Sequence, residues 1–388
     1  MTGKPLRILT VSHFFEAHGG GIERVAGHLC RRFADNGIEA SWAASDADLP
    51  PEGKVDVVPI ACLQVMEKRN GLPMPIPRMR GIAALARAVR GSDSVVLHDA
   101  LYATSILAMV AAKIYRKRTV LVQHIASVPF SSRILRFAMA LANRLVTRPM
   151  LRAADARVFI SDTVRHELLG TPPRHSYRLL FNGVDRSIFH PSRDSTGDGG
   201  SPARGRRVLF VGRYVEKKGL SVIRALATLR PDLEFSLAGA GSIRPSAWGL
   251  GNVRDLGTRT PMELADLYRT ADLLLLPSVG EGYPLVIQEA MACGLPVICG
   301  APVHLADPDA AVWLRGVNID LRDPQGSAHR CADAIDGLAL TAAERDAMAA
   351  HALAHYDWEK MARSVIALAC NSQAVAPTEN RQENVADE

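Results

Sequence analysis

Short apolar or β-branched runs alternate with longer amphipathic stretches over the first half of the chain. Arg7–Ser12, Glu39–Ala44, Val55–Ile60, Ser94–His98, Thr119–His124, Ala156–Ile160 and Ser176–Leu180 have the length and composition of strands. Between them, Ile22–Asn36, Met79–Arg90, Ala103–Tyr115, Ser132–Ala153 and Asp162–Leu168 carry apolar residues at helical spacing, and Gly37 is a natural stop for the first. A second alternation begins at Arg207–Val211. It continues through helix Ser221–Leu229, strand Glu234–Leu237, helix Pro261–Thr270, strand Leu273–Leu276, helix Leu285–Ala292 and strand Pro296–Cys299. A last helix is expected over Trp358–Leu368. Alternation of this kind predicts parallel, doubly wound α/β sheets.

The two series are separated by a segment rich in Gly, Pro, Ser and charge, Pro191–Arg206 (PSRDSTGDGGSPARGR), which reads as a linker. The expected division is an N-terminal Rossmann-like domain over 1–189, a linker over 190–206 and a C-terminal Rossmann-like domain over 207–356. A C-terminal helix over 357–370 and a disordered polar tail over 371–388 follow. Two such domains enclose a cleft, a preferred place for a ligand.

Composition narrows the class. At 388 residues and 48% apolar, the chain can fill two cores. The N-terminus runs straight into a strand without a signal-peptide pattern, and no apolar run is long enough to cross a bilayer. The six cysteines are scattered and none forms a CxxC, so zinc and disulfide frameworks are not expected and a reducing, cytoplasmic setting is. Charge is uneven: residues 1–200 hold 27 basic and 17 acidic residues, net +10, and the remainder is net −4. The basic half suits an anionic lipid surface or a phosphate-bearing acceptor. Nucleic acid is not expected, because aromatics are only 5% and no binding signature is present.

The run Glu281-Gly-Tyr-Pro-Leu-Val-Ile-Gln-Glu289 carries the chemistry. It follows the apolar strand and continues into a helix, an arrangement that presents a helix N-terminus to an anion. Two acids there cannot hold the phosphate, but they can accept hydrogen bonds from hydroxyls on either side of it. The stretch Glu281–Pro296 (EGYPLVIQEAMACGLP) resembles the E-x7-E signature of retaining glycosyltransferases of family GT4. That resemblance implies the GT-B architecture, with two Rossmann-like doubly wound parallel-sheet domains facing a central cleft.

Other segments resemble the same family. Gly212-Arg213 with Lys218-Gly219 resembles its diphosphate-binding loop; Lys217 also fits the spacing. Gly239-Ala-Gly241 resembles its G-x-G turn, and a tight turn alone would explain the glycines equally well. Asn252–Gly257 resembles the segment beside the nucleotide base, including Arg254 and Gly257. His18-Gly19-Gly20-Gly21 is not a dinucleotide fingerprint, since Arg24 occupies the last glycine position, but it resembles the family's Gly-rich loop. His124 resembles the histidine beside the donor sugar, and His98 has a similar strand-end position. Ser161 resembles a strand-end serine and also suits a helix cap. Asn182-Gly-Val-Asp185 resembles a turn expected at the domain hinge.

The resemblance implies catalytic roles for His124, Glu281, Arg213 and Lys218. It implies substrate contacts from Gly20, Gly21, Gly257, Gly282, Tyr283, Pro284, Leu285 and Glu289, besides Arg213 and Lys218. The implied reaction moves a hexosyl unit from a UDP- or GDP-sugar to the hydroxyl of a sugar or lipid-linked acceptor. It proceeds with retention and without a metal or other cofactor, in cell-surface polysaccharide or glycolipid assembly. The rivals are a sugar-nucleotide epimerase of the same fold and a non-catalytic sugar-nucleotide-binding protein. After Cys299 the likeness thins: Gly300-Ala-Pro-Val-His stands where the family often has a Gly-Gly-x-x-E-like loop.

One further segment stands out. Arg133–Arg152 carries five arginines, no acid and interleaved apolar residues, and Pro149 is expected to break or kink it. Such a helix either lies on an anionic membrane surface, peripheral to the inner face of the cytoplasmic membrane, or turns a basic face to water.

Overall fold

A computed structural model describes residues 5–64, 74–127, 133–173, 175–192 and 206–371. The first seven expected strands pair in parallel, in the spatial order Asp56–Ile60, Glu39–Ser45, Arg7–Val11, Ser94–His98, Arg118–Gln123, Ala156–Phe159, Arg178–Leu179. The side-chain period of two sends neighbours along each strand to opposite faces. Ile8, Val96, Val120, Val122 and Val158 pack on one side of this sheet, and Leu9, Val11, Val95, Leu97 and Leu121 on the other. Both faces are therefore buried, as a parallel sheet requires.

The second sheet has six parallel strands in the order Val253–Gly257, Glu234–Ala238, Arg207–Val211, Leu273–Leu276, Val297–Gly300, Leu314–Val317. In both sheets the sequence order reverses beside the first strand of its series. A crevice opens there beyond the carboxyl ends of the strands, where ligands of doubly wound sheets bind. The crevices fall after Val11 and His98 in the first domain, and after Val211 and Leu276 in the second.

Several elements differ from the sequence expectation. The strand expected to reach His124 ends at Gln123, which leaves His124 beyond the sheet edge. Pro149 does not break its helix. The helix runs as Arg133–Ala142, a π-helical turn Asn143–Thr147 and Arg148–Ala153, so the irregularity lies one turn upstream of the proline. A wider turn there accommodates a residue that has no N–H and whose ring crowds the preceding carbonyls. Strands Val253–Gly257 and Leu314–Val317 and helices Pro324–Asp336 and Ala342–His355 were not anticipated. The linker expected over 190–206 and the tail over 371–388 fall almost wholly outside the described residues.

The last helix, Trp358–Cys370, returns to the first domain. Trp358, Met361, Ala362, Val365 and Ala369 form one apolar face against Ile8, Val25 and Leu29. Arg118 and Ser94 donate to the carbonyls of Leu368 and Ala369 at 2.6 and 2.8 Å. The chain crosses back at Tyr356, whose carbonyl accepts from the Val184 amide at 3.0 Å. A β-carbon on Gly183 would overlap Trp358, so the Asn182–Asp185 turn sits at this crossing.

Candidate active site

In the second domain, two loops leave the crevice locked together. Gly219 has φ +76, and a β-carbon on it would overlap the Pro277 carbonyl oxygen. Only glycine tolerates both conditions. The Val279 amide donates to the Lys217 carbonyl at 2.9 Å. This brings Lys218 Nζ to 3.0 Å from Glu281 Oε1, with Lys217 Nζ 3.5 Å from the same oxygen. Burial by itself would raise the Glu281 carboxyl, but the two lysines hold it below its usual range. Burial pushes the Lys218 ammonium down, against the attraction of Glu281. Two residues expected to act separately, on diphosphate and on sugar hydroxyls, thus form one ion pair. Arg213 is exposed and makes no ion pair among the described residues.

Gly282, Tyr283 and Pro284 lead into the helix Leu285–Ala292. The Tyr283 side chain does not face the crevice. It is buried, and its hydroxyl meets the Tyr356 hydroxyl at 2.9 Å, which in turn donates to Asp307 Oδ2 at 2.7 Å. Any ligand contact from Tyr283 is therefore through its backbone. Glu289, on the helix, is buried and accepts from the Tyr268 hydroxyl at 3.0 Å. Burial raises its carboxyl, opposed by the charge of Arg24 from the first domain. Ser278 Oγ is buried, with no hydrogen-bond partner among the described residues.

In the first domain, buried polar groups gather at the crevice. His13 Nε2 lies 2.9 Å from Glu23 Oε1, and the His13 ring stacks on Tyr102 at 3.7 Å. His98 Nδ1 lies 3.0 Å from His124 Nε2. Asp99, at φ +61, receives the Gln123 amide on Oδ1 and the His124 backbone N–H at 3.4 Å. Burial pushes the Asp99 carboxyl up to about 7. Gly20 is the N-cap of helix Gly21–Asp35, and a β-carbon on it would overlap the Glu23 carboxylate.

The two crevices face each other. A β-carbon on Gly282 would overlap the His124 carbonyl oxygen and come within 3.5 Å of Ile160 Cδ1. Arg213 acts electrostatically on Tyr102, as Arg24 does on Glu289. His124, Arg213, Lys218, Glu281, Gly282 and Glu289 therefore border one interdomain cleft. Gly257, at φ +66, ends its strand with open space around its α-carbon. Gly239 and Gly241 lie against the backbone of Gly212 and Tyr214, which gives them a packing role. Ser161 Oγ caps the next helix, accepting from the Val164 amide.

Sequence reasoning missed Arg24, Tyr102, Tyr268, Asp99 and the His13–Glu23 pair. The polar types of His13 and Asp99 next to strand ends were the local hint; Glu23, Arg24 and Tyr268 lie within helices and gave none. Among the described residues, no group of three or more His, Cys, Asp or Glu is placed to hold a metal ion, and no helix is long and apolar enough to cross a membrane.

Two family models match the chain: Glycosyltransferase Family 4 over residues 19–188 and Glycosyl transferases group 1 over 205–338. D-inositol 3-phosphate glycosyltransferases of Thermobispora bispora and Corynebacterium urealyticum are each 33% identical over 243 and 257 residues. Those alignments cover 57% and 58% of this chain and 54% and 59% of the relatives. The chain thus spans little more than half the length of the curated relatives it matches. The fold is that of sucrose-phosphate synthase from Thermosynechococcus elongatus (TM-score 0.68, 19% identity, covering 94% of this chain and 98% of that one). It is also that of Anabaena HepE in complex with UDP and glucose (TM-score 0.63, 19% identity, covering 93% and 98%). Both are GT-B structures, as the two facing parallel-sheet domains are here.

Proposed function

The chain belongs to the family 4, group 1 glycosyltransferases, and from that premise we propose that it transfers a hexosyl unit from a nucleoside-diphosphate sugar to an acceptor hydroxyl. The observation that carries this reading is the Lys218–Glu281 pair at 3.0 Å with Arg213 beside it. Cations of one loop are held against the acid of the next, across the crevice from His124.

The chain's own groups divide the work as follows. As the bond between the anomeric carbon and the diphosphate oxygen breaks, its electron pair stays on the diphosphate. Arg213 and Lys218 stabilise that growing charge, assisted by the amides at the start of helix Leu285–Ala292. Glu281, ionised through its lysines, keeps its other oxygen for donor-sugar hydroxyls. Glu289, fixed by Tyr268, accepts from the ribose. The acceptor oxygen bonds to the anomeric carbon, and its proton passes to a diphosphate oxygen. This is the route the family resemblance implies for retention without a metal. The donor is a UDP- or GDP-sugar, and the inositol phosphate named for the relatives suits the basic first domain as a phosphate-bearing acceptor.

The helical stretch after Arg133 supports a peripheral membrane site for this chemistry. Ile134, Phe137 and Leu145 are 79%, 70% and 62% exposed, beside exposed Arg144 and Arg148. An apolar strip flanked by cations fits an anionic lipid surface, where a lipid-linked acceptor for polysaccharide or glycolipid assembly would lie.

The test is a thermal-shift panel of UDP-, GDP- and ADP-sugars, followed by nucleotide release in the presence of acceptors. Stabilisation by none of the three groups would remove the assignment. Stabilisation without release under any acceptor would favour the non-catalytic binding protein.

A further inference from the structure

We propose that His98 is a positioning residue that fixes the tautomer of His124, so that His124 presents an N–H, and not a lone pair, to the cleft. The inference rests on the reading of His124 as a residue of the transfer site.

The two rings share one hydrogen bond, between His98 Nδ1 and His124 Nε2 at 3.0 Å, with ring planes 25° apart. His98 closes strand Ser94–His98, and His124 follows the neighbouring strand, so their separation is set by the parallel ladder. Both side chains are buried, at 0% and 3% exposure. Burial pushes the His98 imidazolium down to about 3, and burial with the neighbouring His98 pushes His124 down as well. Two neutral rings therefore hold one proton between them at this contact.

Which ring donates is decided at the far side of His98. Its Nε2 is buried and has no hydrogen-bond partner among the described residues. If His124 donated from Nε2, His98 would carry its own proton on that orphaned Nε2, a buried N–H with no acceptor. If His98 donates from Nδ1, the orphan is only a lone pair. Unpaired buried N–H groups are the rarer and costlier case. The hydrogen bond at one nitrogen of a neutral imidazole fixes the state of the other. His124 therefore carries its proton on Nδ1, which has no partner among the described residues but, unlike His98 Nε2, is not fully buried and can meet a group in the cleft.

The backbone of His124 is held as firmly as its ring. Its N–H donates to Asp99 Oδ1, and its carbonyl lies against Gly282. A donor so placed serves an uncharged oxygen, such as a sugar hydroxyl or ring oxygen. It is not a general base, because its lone pair is already engaged by His98.

The test uses the full chain with isotopically labelled histidine and long-range proton–nitrogen correlation spectra, with the His124 signals identified by their loss in His124→Phe. The expected result at neutral pH is a protonated Nδ1 and an unprotonated, hydrogen-bonded Nε2. An Nε2–H form in the wild-type protein overturns the inference. His98→Phe keeps the ring but offers no nitrogen. It should shift His124 toward the Nε2–H form that free imidazole side chains favour and lower kcat on the order of 10²-fold, with a smaller change in donor KM. His98→Asn, whose amide donates from the place of Nδ1, should restore the Nδ1–H spectrum and most of kcat. A wild-type spectrum and wild-type turnover in His98→Phe would also overturn it. The spectra need no substrate. A protein with Nδ1–H at His124 but no transferase activity would uphold this inference and count against the proposed reaction.

Discussion

Gly282 of the second domain lies so close to His124 of the first that its missing side chain is a condition of the cleft. A β-carbon there would overlap the His124 carbonyl oxygen. The contact joins the start of the Glu281–Glu289 element to the strand end that carries the cleft-facing imidazole.

Gly282→Ala is expected to hold the two domains apart. A clash with backbone cannot be relieved by rotating a side chain, whereas an interdomain gap can widen. Turnover should fall on the order of 10²-fold from lost alignment, while the melting temperature changes little, since neither core is touched. Small-angle scattering should show a larger radius with donor bound than in the wild type. Wild-type kinetics in this variant would mean that the two loops separate in the working state.

Arg213→Ala removes the exposed guanidinium beside the Lys218–Glu281 pair. A charge-assisted hydrogen bond is worth roughly 1.5–3 kcal/mol, so nucleoside diphosphate affinity should weaken about 10- to 100-fold by calorimetry. Stability should be unchanged, because Arg213 pairs with no other described residue. Unaltered affinity would place the diphosphate elsewhere.

Glu289→Ala and Glu289→Gln separate stability from binding. Alanine strands the buried Tyr268 hydroxyl, which should cost about 1–3 kcal/mol. Glutamine keeps an acceptor for Tyr268. Both should weaken nucleotide binding, but only alanine should lower the melting temperature markedly. If Tyr268→Phe restored the melting temperature of the alanine variant, the loss would be traced to that one hydroxyl.

Asp99 should make the fold pH-dependent. Its folded value is raised from 3.8 to about 7 by burial. The folded chain therefore binds the proton more tightly than the unfolded chain. The resulting stabilisation is complete below about pH 4 and is lost as pH rises to about 7, at up to about 1.4 kcal/mol per unit. Asp99→Asn cannot ionise, so its stability relative to wild type should climb across that window and level off above it. Urea melts at pH 4, 5.5 and 7 measure the difference, and a constant difference would contradict the buried protonated state.

The exposed strip on the helical stretch after Arg133 predicts flotation with vesicles of anionic lipid and none with neutral vesicles. Each basic residue near such a surface contributes about 1 kcal/mol, and added salt should release the protein. Phe137→Ser with Leu141→Ser should abolish flotation without lowering the melting temperature, since both side chains already face water. A wild-type protein that stays in the soluble fraction with anionic vesicles leaves the helix as an ordinary solvated face.

The elements most legible in sequence were those with a period or a sharp boundary. Arg207–Val211, Pro261–Thr270, Leu273–Leu276 and Leu285–Ala292 lie where their patterns put them. A capping box at Thr260 and Glu263 fixes the start of the second of these. Strand Val253–Gly257 was hidden, because its exposed Arg254 and Asp255 break the apolar run expected of a buried parallel strand. Pro149 marked an irregularity but not its form, because the widened turn that lets the helix continue leaves no mark in composition.

Residue types and local spacing determined by themselves the two α/β series, the glycines and cations after Val211 and the paired acids at 281 and 289. Each depends on neighbours within a turn or a strand, and that information is written locally. Only the tertiary structure decided that Lys218 and Glu281 are partners, that Tyr283 turns into the core toward Tyr356, and that the last helix returns to the first domain. It alone also put His98 against His124. These pairings join positions tens to hundreds of residues apart, chosen by sheet order and by which buried polar atoms must find one another, and no local period records that choice.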